Sequence, residues 1–334
     1  MTTTHLGTRR LGRTGPTVTS PGLGCMGLSG SYGPVDDRQG VRVVHAYLDA
    51  GGTLLDTGDF YGSGHNELLI RRALGERDRD DVVLSVKFGG MRDPSGQMSG
   101  IDGRPAAVGN FLAYSLQRLG TDHVDVYRPA RLDPSVPIEE TVGAIAELVQ
   151  KGYVRHIGLS EVGAGTIRRA AAVAPICDVQ IEYSLFSRGV EDEILAVCRE
   201  LGIGVTAYGV LSRGLIGGSG TVAGLRAGSP RFQGANLDHN AALAGRLQDL
   251  AAAKGVSVAQ LAIAWVAAQG DDIVPIVGSR TPDQVTTMIA ADAVTFTAQE
   301  LALIEDLVPR NAAKGDRYPT ALMAALDSER PNPN

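Results

Sequence analysis

Three residues whose types together suit general acid–base chemistry fall close in the sequence. Asp56 ends the run TLLD, Tyr61 sits in the GDFYG that follows, and Lys87 lies inside VVLSVKF. A lysine in so apolar a run is costly to bury unless a carboxylate accompanies it. Asp56, at the end of the neighbouring strand, is the expected partner. Such a pair alone is also what a purely structural ion pair looks like. Tyr61 tips the balance. A free tyrosine ionises near pH 10, too high for efficient proton exchange near neutrality. An adjacent ammonium is expected to lower that value by favouring the phenolate.

The elements that must position these groups alternate strictly. Strands are expected at Val18–Leu28, Thr53–Asp56, Val82–Phe88, Val124–Tyr127, His156–Ser160, Val179–Tyr183, Gly204–Tyr208 and Ile273–Val277. Amphipathic helices are expected between them, at Asp36–Ala50, Asn66–Leu74, Ala106–Leu119, Ile138–Lys151, Ala164–Val173, Val190–Leu201 and Val258–Ala268. Glycines at Gly51, Gly120, Gly152 and Gly202 mark helix ends. Eight such units without a change of composition imply one α/β domain over 1–334, a closed (β/α)8 TIM barrel spanning about 18–308. A hairpin over Arg9–Val18 precedes the barrel, and a tail over 309–334 follows it, with Pro331–Asn334 expected to be disordered. Gly89–Pro105 and Leu211–Asn236 read as long loops over the active face.

The chain has 334 residues, 43% of them hydrophobic, which is ample for a large core. Its 37 acids against 31 bases leave a net charge of −6, which offers no general attraction to nucleic acid or an anionic membrane. No apolar run reaches membrane-spanning length, and the N-terminus lacks the apolar core of a signal peptide. Cys25, Cys177 and Cys198 stand apart, form no metal-ligand cluster, and suit a reducing cytoplasm. Trp265 lies on an apolar helix face and is expected in the core. Gly22, Gly24 and Gly27 spell GxGxxG, but SGSYGP follows where a helix would have to open. A dinucleotide fingerprint is thereby excluded, and the glycines are expected to let a ligand approach the first strand.

LLDTGDFYGSGHNE, SVKFG, VPIEETVGAIAELVQKGYVRHIGLSE, VQIEYSLFSR, AYGVLSRG and VPIVGSR occur in this order from about Arg9 to Val308. Together they resemble the aldo-keto reductase superfamily. The resemblance implies a barrel that binds NADPH (or NADP) without a Rossmann domain and reduces an aldehyde or ketone, its only expected partner being that small carbonyl compound. It implies that Tyr61 protonates the carbonyl oxygen, tuned by Lys87 and Asp56. It places Ser160, Glu161 and Gln180 at the nicotinamide carboxamide, and Tyr208, Gly209, Leu211, Arg213 and Gly214 along the cofactor. It assigns Gly278, Ser279, Arg280 and Gln284 to the adenosine phosphate. A glycine–serine turn at a helix start does offer N–H groups to phosphate, and an arginine offers a two-pronged fork; Arg280 could also be a solvated loop residue. Two departures concern cofactor preference. Thr287 and Met288 stand where the family usually has Glu-Asn, and Gly209, Val210 and Ser212 depart from its usual Tyr-Ser-Pro-Leu-Gly turn.

The family's fourth catalytic residue, a histidine, maps to Ala130 in the motif Arg-Pro-Ala-Arg. Strand alternation directs position 128 inward with position 130. Arg128 is therefore expected either to replace the histidine as an electrostatic stabiliser or to form a buried pair with Glu182, with Arg131 bracing the loop. Met26, Tyr32, Phe60 and Phe88 are expected to line the substrate pocket. Alternatives to carbonyl reduction are alcohol oxidation, a specialised biosynthetic redox step, and a cofactor-binding redox sensor like the potassium-channel β subunits. Oligomeric state is not set by any feature of the sequence.

Overall fold

The computed structural model describes residues 6–75, 77–218, 222 and 226–329. The disorder expected of Pro331–Asn334 concerns residues outside that set. The leading hairpin forms as expected: β1 (Thr8–Arg10) pairs antiparallel with β2 (Thr17–Thr19), Arg9 opposite Val18. Eight parallel strands then close a barrel. They are β3 (Gly22–Gly24), β4 (Leu54–Gly58), β5 (Val83–Phe88) and, after a small hairpin of β6 (Gly90–Arg92) and β7 (Met98–Ile101), β8 (Val124–Pro129), β9 (Val154–Ser160), β10 (Ile176–Glu182), β11 (Gly204–Tyr208) and β12 (Ile273–Gly278). β12 returns to pair with β3, placing Gly278 beside Gly24.

Helices fill the crossovers: α1 (Asp37–Asp49), α2 (His65–Leu74), α3 (Pro105–Leu119), α4 (Ile138–Gln150), α5 (Ala164–Val173), α6 (Ile194–Leu201), α7 (Gly234–Ala253), α8 (Val258–Ala267), α9 (Pro282–Ala290), α10 (Ala298–Leu307) and the short α11 (Thr320–Met323). Gly120 and Gly202 end α3 and α6 with φ near 70°, the left-handed stop that the sequence announces. Two segments read as loops carry structure. β6 and β7 join through a turn in which the Asp93 carboxylate accepts from the Ser95 and Gln97 amides. α7 begins at Gly234, inside the expected loop. No single helix among the described residues is long and apolar enough to cross a membrane.

Alternation along the strands stacks the barrel interior in layers. Leu54, Val126 and Val274 form an apolar floor, plugged from below by Leu11 and Val18 of the hairpin. Above it the interior turns polar and charged. Arg128 is fully buried, and its guanidinium is held by Asp178 at 3.0 Å, by Thr206 Oγ1 at 3.1 Å and by Ser85 Oγ at 3.0 Å. Gly158 makes the room. A Cβ there would lie 2.7 Å from Asp178 Oδ1 and 3.1 Å from Arg128 Nε. Both sequence-based expectations for Arg128 are corrected by this geometry. Its partner is Asp178 rather than Glu182, and it is spent on the layer beneath Ala130 instead of rising into the space above it. Gly22 is also corrected: Leu54 and Ile276 side chains pack where its Cβ would be, so glycine here serves the packing of the barrel and leaves no room for a ligand.

Breaking a buried pair leaves a charge without compensation. Arg128→Met is therefore expected to lower unfolding stability by about 3–5 kcal/mol. Arg128→Met/Asp178→Leu should recover a substantial part of the loss. Urea titrations of the two variants measure this, and an unaltered midpoint for Arg128→Met would contradict it.

Candidate active site

The C-terminal ends of β4 and β5 bring the acid–base residues together. Leu54 and Leu55 anchor β4, so Asp56 points inward, and Lys87 does the same two residues beyond Ser85. Asp56 collects three donors: Lys87 Nζ at 2.5 Å, Gln180 Nε2 at 2.7 Å and Ser85 Oγ at 2.8 Å. Burial opposes its charge, but Lys87 and Arg128 outweigh that and hold its carboxyl below the usual range. Burial lowers Lys87, with Arg128 adding to it and Asp56 resisting.

Tyr61 follows β4 on a single tight turn. Gly62, Ser63 and Gly64 all take positive φ, at 56°, 54° and 92°. Asn66 fastens this turn, accepting from Thr57 Oγ1 at 2.6 Å and donating to the Cys25 carbonyl at 2.8 Å. The ring of Phe60 lies edge-on to Tyr61 at 4.9 Å, and Lys87 Nζ lies 5.1 Å from the Tyr61 ring centroid. Tyr61 is buried, and burial, followed by the charge of Asp56, pushes its phenol well above the ordinary value; Arg131 is the cation that opposes the shift. The expected lowering by Lys87 is thereby corrected. Asp56 neutralises the ammonium at contact distance, and burial then decides the sign.

A second charged cluster covers the barrel mouth. Glu161, just past β9 with φ of 54°, is fully buried. Its Oε1 accepts from Tyr208 Oη at 2.6 Å, from the Glu182 amide at 2.9 Å and from Arg317 Nη1 at 3.0 Å; its Oε2 accepts from Arg317 Nη2 at 2.5 Å and Ser328 Oγ at 2.7 Å. Burial works against the Glu161 carboxylate, but Arg317 and Arg131 hold it far below the usual range. Glu182 is shared by Arg213 at 3.0 Å and Arg317 at 3.2 Å. Tyr318 stacks under Arg213, with 3.9 Å from guanidinium carbon to ring centroid, and meets Tyr208 hydroxyl to hydroxyl at 3.1 Å. The tail that the sequence offers as an appendage is thus part of the site. Arg317 and Tyr318 carry no periodic signal; two acids, Glu161 and Glu182, at strand ends in need of cations were the available hint.

The other expected residues separate into groups. Ser160 and Gln180 face the interior near Asp56, and Ser160 Oγ is buried without a partner among the described residues. Gly278 ends β12, and Ser279 and Arg280 lie between it and α9. There the Arg280 amide donates to Gln284 Oε1 at 2.7 Å, and its guanidinium binds the carbonyls of Tyr32 and Pro34 at 3.1 and 2.7 Å. Its buried Nε has no partner among the described residues. Met288 is buried against Ser279, and Thr287 turns its hydroxyl to the Asp283 carbonyl. Tyr32, its phenol pushed up to about 12 by burial, lies under Arg226. Met26 and Phe60 are half-buried at the mouth. Phe88 is corrected: next to inward Lys87 it points outward, stacking on Tyr127 at 4.3 Å inside the helix layer. Trp265 is buried in the core, edge-on to Tyr183.

The class of protein follows from sequence comparison as well as from this geometry. A profile of the aldo/keto reductase family matches residues 22–309, and the chain belongs to that family of oxidoreductases, which typically use nicotinamide cofactors. Probable aldo-keto reductase 1 of Glycine max is 41% identical over 324 residues, covering 95% of this chain and 93% of that protein. Among solved structures, the glycerol dehydrogenase AKR11B4 from Gluconobacter oxydans superposes with a TM-score of 0.82 at 29% identity, covering 95% of this chain and 98% of its own. The holo form of aldo-keto reductase AKR11C1 from Bacillus halodurans superposes with a TM-score of 0.75 at 27% identity, covering 92% and 100%.

Asp59 behaves differently from its neighbours. It is 6% exposed, and burial together with the nearby charge of Glu67 pushes its carboxyl up to about 7. The folded chain holds this proton more tightly than the unfolded chain, whose aspartates ionise near pH 3.9. Stability contributed here is complete below about pH 4, is lost between about pH 4 and 7, and changes little above that. Asp59→Asn is expected to raise the melting temperature relative to the parent more at pH 8 than at pH 4. Equal effects at both values would contradict this.

Proposed function

We propose that the chain is an NADPH-dependent reductase of aldehydes or ketones, with Tyr61 as its general acid and Lys87 and Asp56 holding that acid in place. The observation that carries this reading is the Lys87–Asp56 contact at 2.5 Å, directly beside the Tyr61 ring at the C-terminal end of the barrel. Ser160 and Gln180 would hold the carboxamide, with Tyr208, Gly209, Leu211, Arg213 and Gly214 alongside. Gly278, Ser279, Arg280 and Gln284 would hold the adenosine phosphate. Two buried donors without partners among the described residues, Ser160 Oγ and Arg280 Nε, support that fit. Glu161 is left out, because Arg317, Ser328, Tyr208 and the Glu182 amide already occupy its carboxylate.

When bound, the reduced nicotinamide supplies the hydride that the carbonyl carbon receives. Tyr61 gives its hydroxyl proton to the carbonyl oxygen and recovers one from water. A phenol held above its ordinary pKa is fully protonated at neutral pH, as an acid must be before it acts. The Lys87–Asp56 pair confines the charge that could otherwise ionise it. Alcohol oxidation on the same groups needs the phenolate and should therefore require alkaline conditions. The three free, buried cysteines suit a reducing cytoplasm.

Purified protein mixed with NADPH and a panel of aldehydes and ketones is expected to consume the reduced-nicotinamide absorbance. In Tyr61→Phe the rate should fall by about 10²–10⁴-fold, with cofactor affinity retained. Undiminished turnover in Tyr61→Phe, or cofactor binding without turnover on any carbonyl, would contradict the proposal.

A further inference from the structure

β8 ends at Pro129, and the next residue, Ala130, is 2% exposed and offers only a methyl group to the site. Beyond Pro129 the alternation that turns Arg128 inward no longer governs the chain. Arg131 bends back so that its Nη1 donates to the Ala130 carbonyl at 2.6 Å. Its charge acts on groups from five separate parts of the barrel mouth: Tyr61 after β4, Lys87 on β5, Glu161 after β9, Tyr208 on β11 and Tyr318 of the tail. The Ala130 amide donates to the Phe88 carbonyl at 2.8 Å, which fixes this turn at the C-terminal end of β5, one residue beyond Lys87, and the Arg131 side chain is half-buried there.

Arg131 differs from the other arginines there in what it holds. Arg128 has Asp178, Arg213 has Glu182, and Arg317 has both Glu161 and Glu182. Arg131 forms no ion pair with any described residue, and one of its five N–H donors is used, on a backbone carbonyl. A guanidinium keeps its charge at any working pH. A cation with free donors at the strand ends that carry Lys87 and Tyr61 suits an oxygen that gains negative charge.

We propose that Arg131 donates a charge-assisted hydrogen bond to the carbonyl oxygen of the substrate, orienting it toward Tyr61 at the place where Ala130 provides no donor. The proposal rests on the carbonyl-reductase reading above. Arg131 polarises the carbonyl without giving up a proton, so Tyr61 remains the proton source. Arg128, one layer down, takes no part in this.

The test compares the parent, Arg131→Met, Arg131→Lys and Tyr61→Phe on a neutral aldehyde such as benzaldehyde with saturating NADPH. Melting temperature and NADPH affinity, by fluorescence titration, are measured alongside. For Arg131→Met, kcat/KM is expected to fall about 10²–10³-fold, the range for removing one oriented donor. Its melting temperature and NADPH affinity should match the parent. Added guanidinium ion should restore part of the activity of Arg131→Met and none of Tyr61→Phe, and Arg131→Lys should keep an intermediate rate. Turnover of Arg131→Met within threefold of the parent overturns the proposal. So does a loss confined to NADPH affinity, or a fallen melting temperature with no response to guanidinium. A parent active on aldehydes and silent as Tyr61→Phe, with Arg131→Met fully active, removes this proposal alone. A parent silent on every carbonyl removes the reductase reading and this proposal together.

Discussion

The buried contact between Asp56 and Lys87 is the constraint that organises the barrel interior. An ammonium cannot sit among apolar strands without a carboxylate, and that carboxylate cannot sit there with unsatisfied oxygens. Ser85 and Gln180 supply the remaining hydrogen bonds. Ser85 in turn accepts from Arg128, whose charge requires Asp178, and that pair requires a glycine at position 158. One buried lysine thus dictates residues on five strands. The chemical consequence is local. Lys87 is paired with Asp56 at 2.5 Å, and burial, followed by the charge of Asp56, pushes the Tyr61 phenol above its ordinary value.

The mouth of the barrel solves the same problem with a different part of the chain. Glu161 and Glu182 sit above the deep pair, where no lysine or arginine on a neighbouring strand reaches them. The cations come from the loop after β11 and from the tail: Arg213 and Arg317. The tail is also fastened by Asp327, which accepts from the Gly163 amide at 2.8 Å, and by the Ser328 amide, which donates to the Glu161 carbonyl at 3.2 Å. The segment after α10 therefore belongs to the site as firmly as the strand ends do. It brings Tyr318 within reach of Tyr208 and Arg213, beside the path proposed for the cofactor.

Period-two alternation and glycine stops made the barrel legible before any coordinates. Asp56 and Lys87 are legible as an acid–base pair from residue type, whereas Ser160 and Gln180 come from the family resemblance. Phe88 reads as a pocket residue by its aromatic character alone, without regard to alternation, which turns the neighbour of inward Lys87 outward. At Arg131 alternation no longer applies, because the strand stops at Pro129; the side chain braces the turn by donating to the Ala130 carbonyl, as expected. The partner of Arg128 was placed one layer too high because register between β8 and β10, which are not adjacent, cannot be read from either strand alone. Arg317 escaped notice because an irregular tail has no period. The sign of the Tyr61 shift was missed because pairing Lys87 with Asp56 and crediting Lys87 with ionising Tyr61 use one charge twice.

The central claim is that Asp56 neutralises Lys87 and leaves Tyr61 protonated. Carbon-13 labelling of the tyrosine ring, with the Tyr61 signal assigned by its loss in Tyr61→Phe, permits a direct titration by NMR. In the free protein the Tyr61 signal should stay at its neutral position through pH 10, and in Asp56→Asn, where the ammonium is unanswered, its midpoint should drop. Ionisation of Tyr61 below about pH 9 in the parent would show that Lys87 acts on Tyr61 despite Asp56, and no change on losing Asp56 would show that the pairing does not control Tyr61; either result would contradict the account.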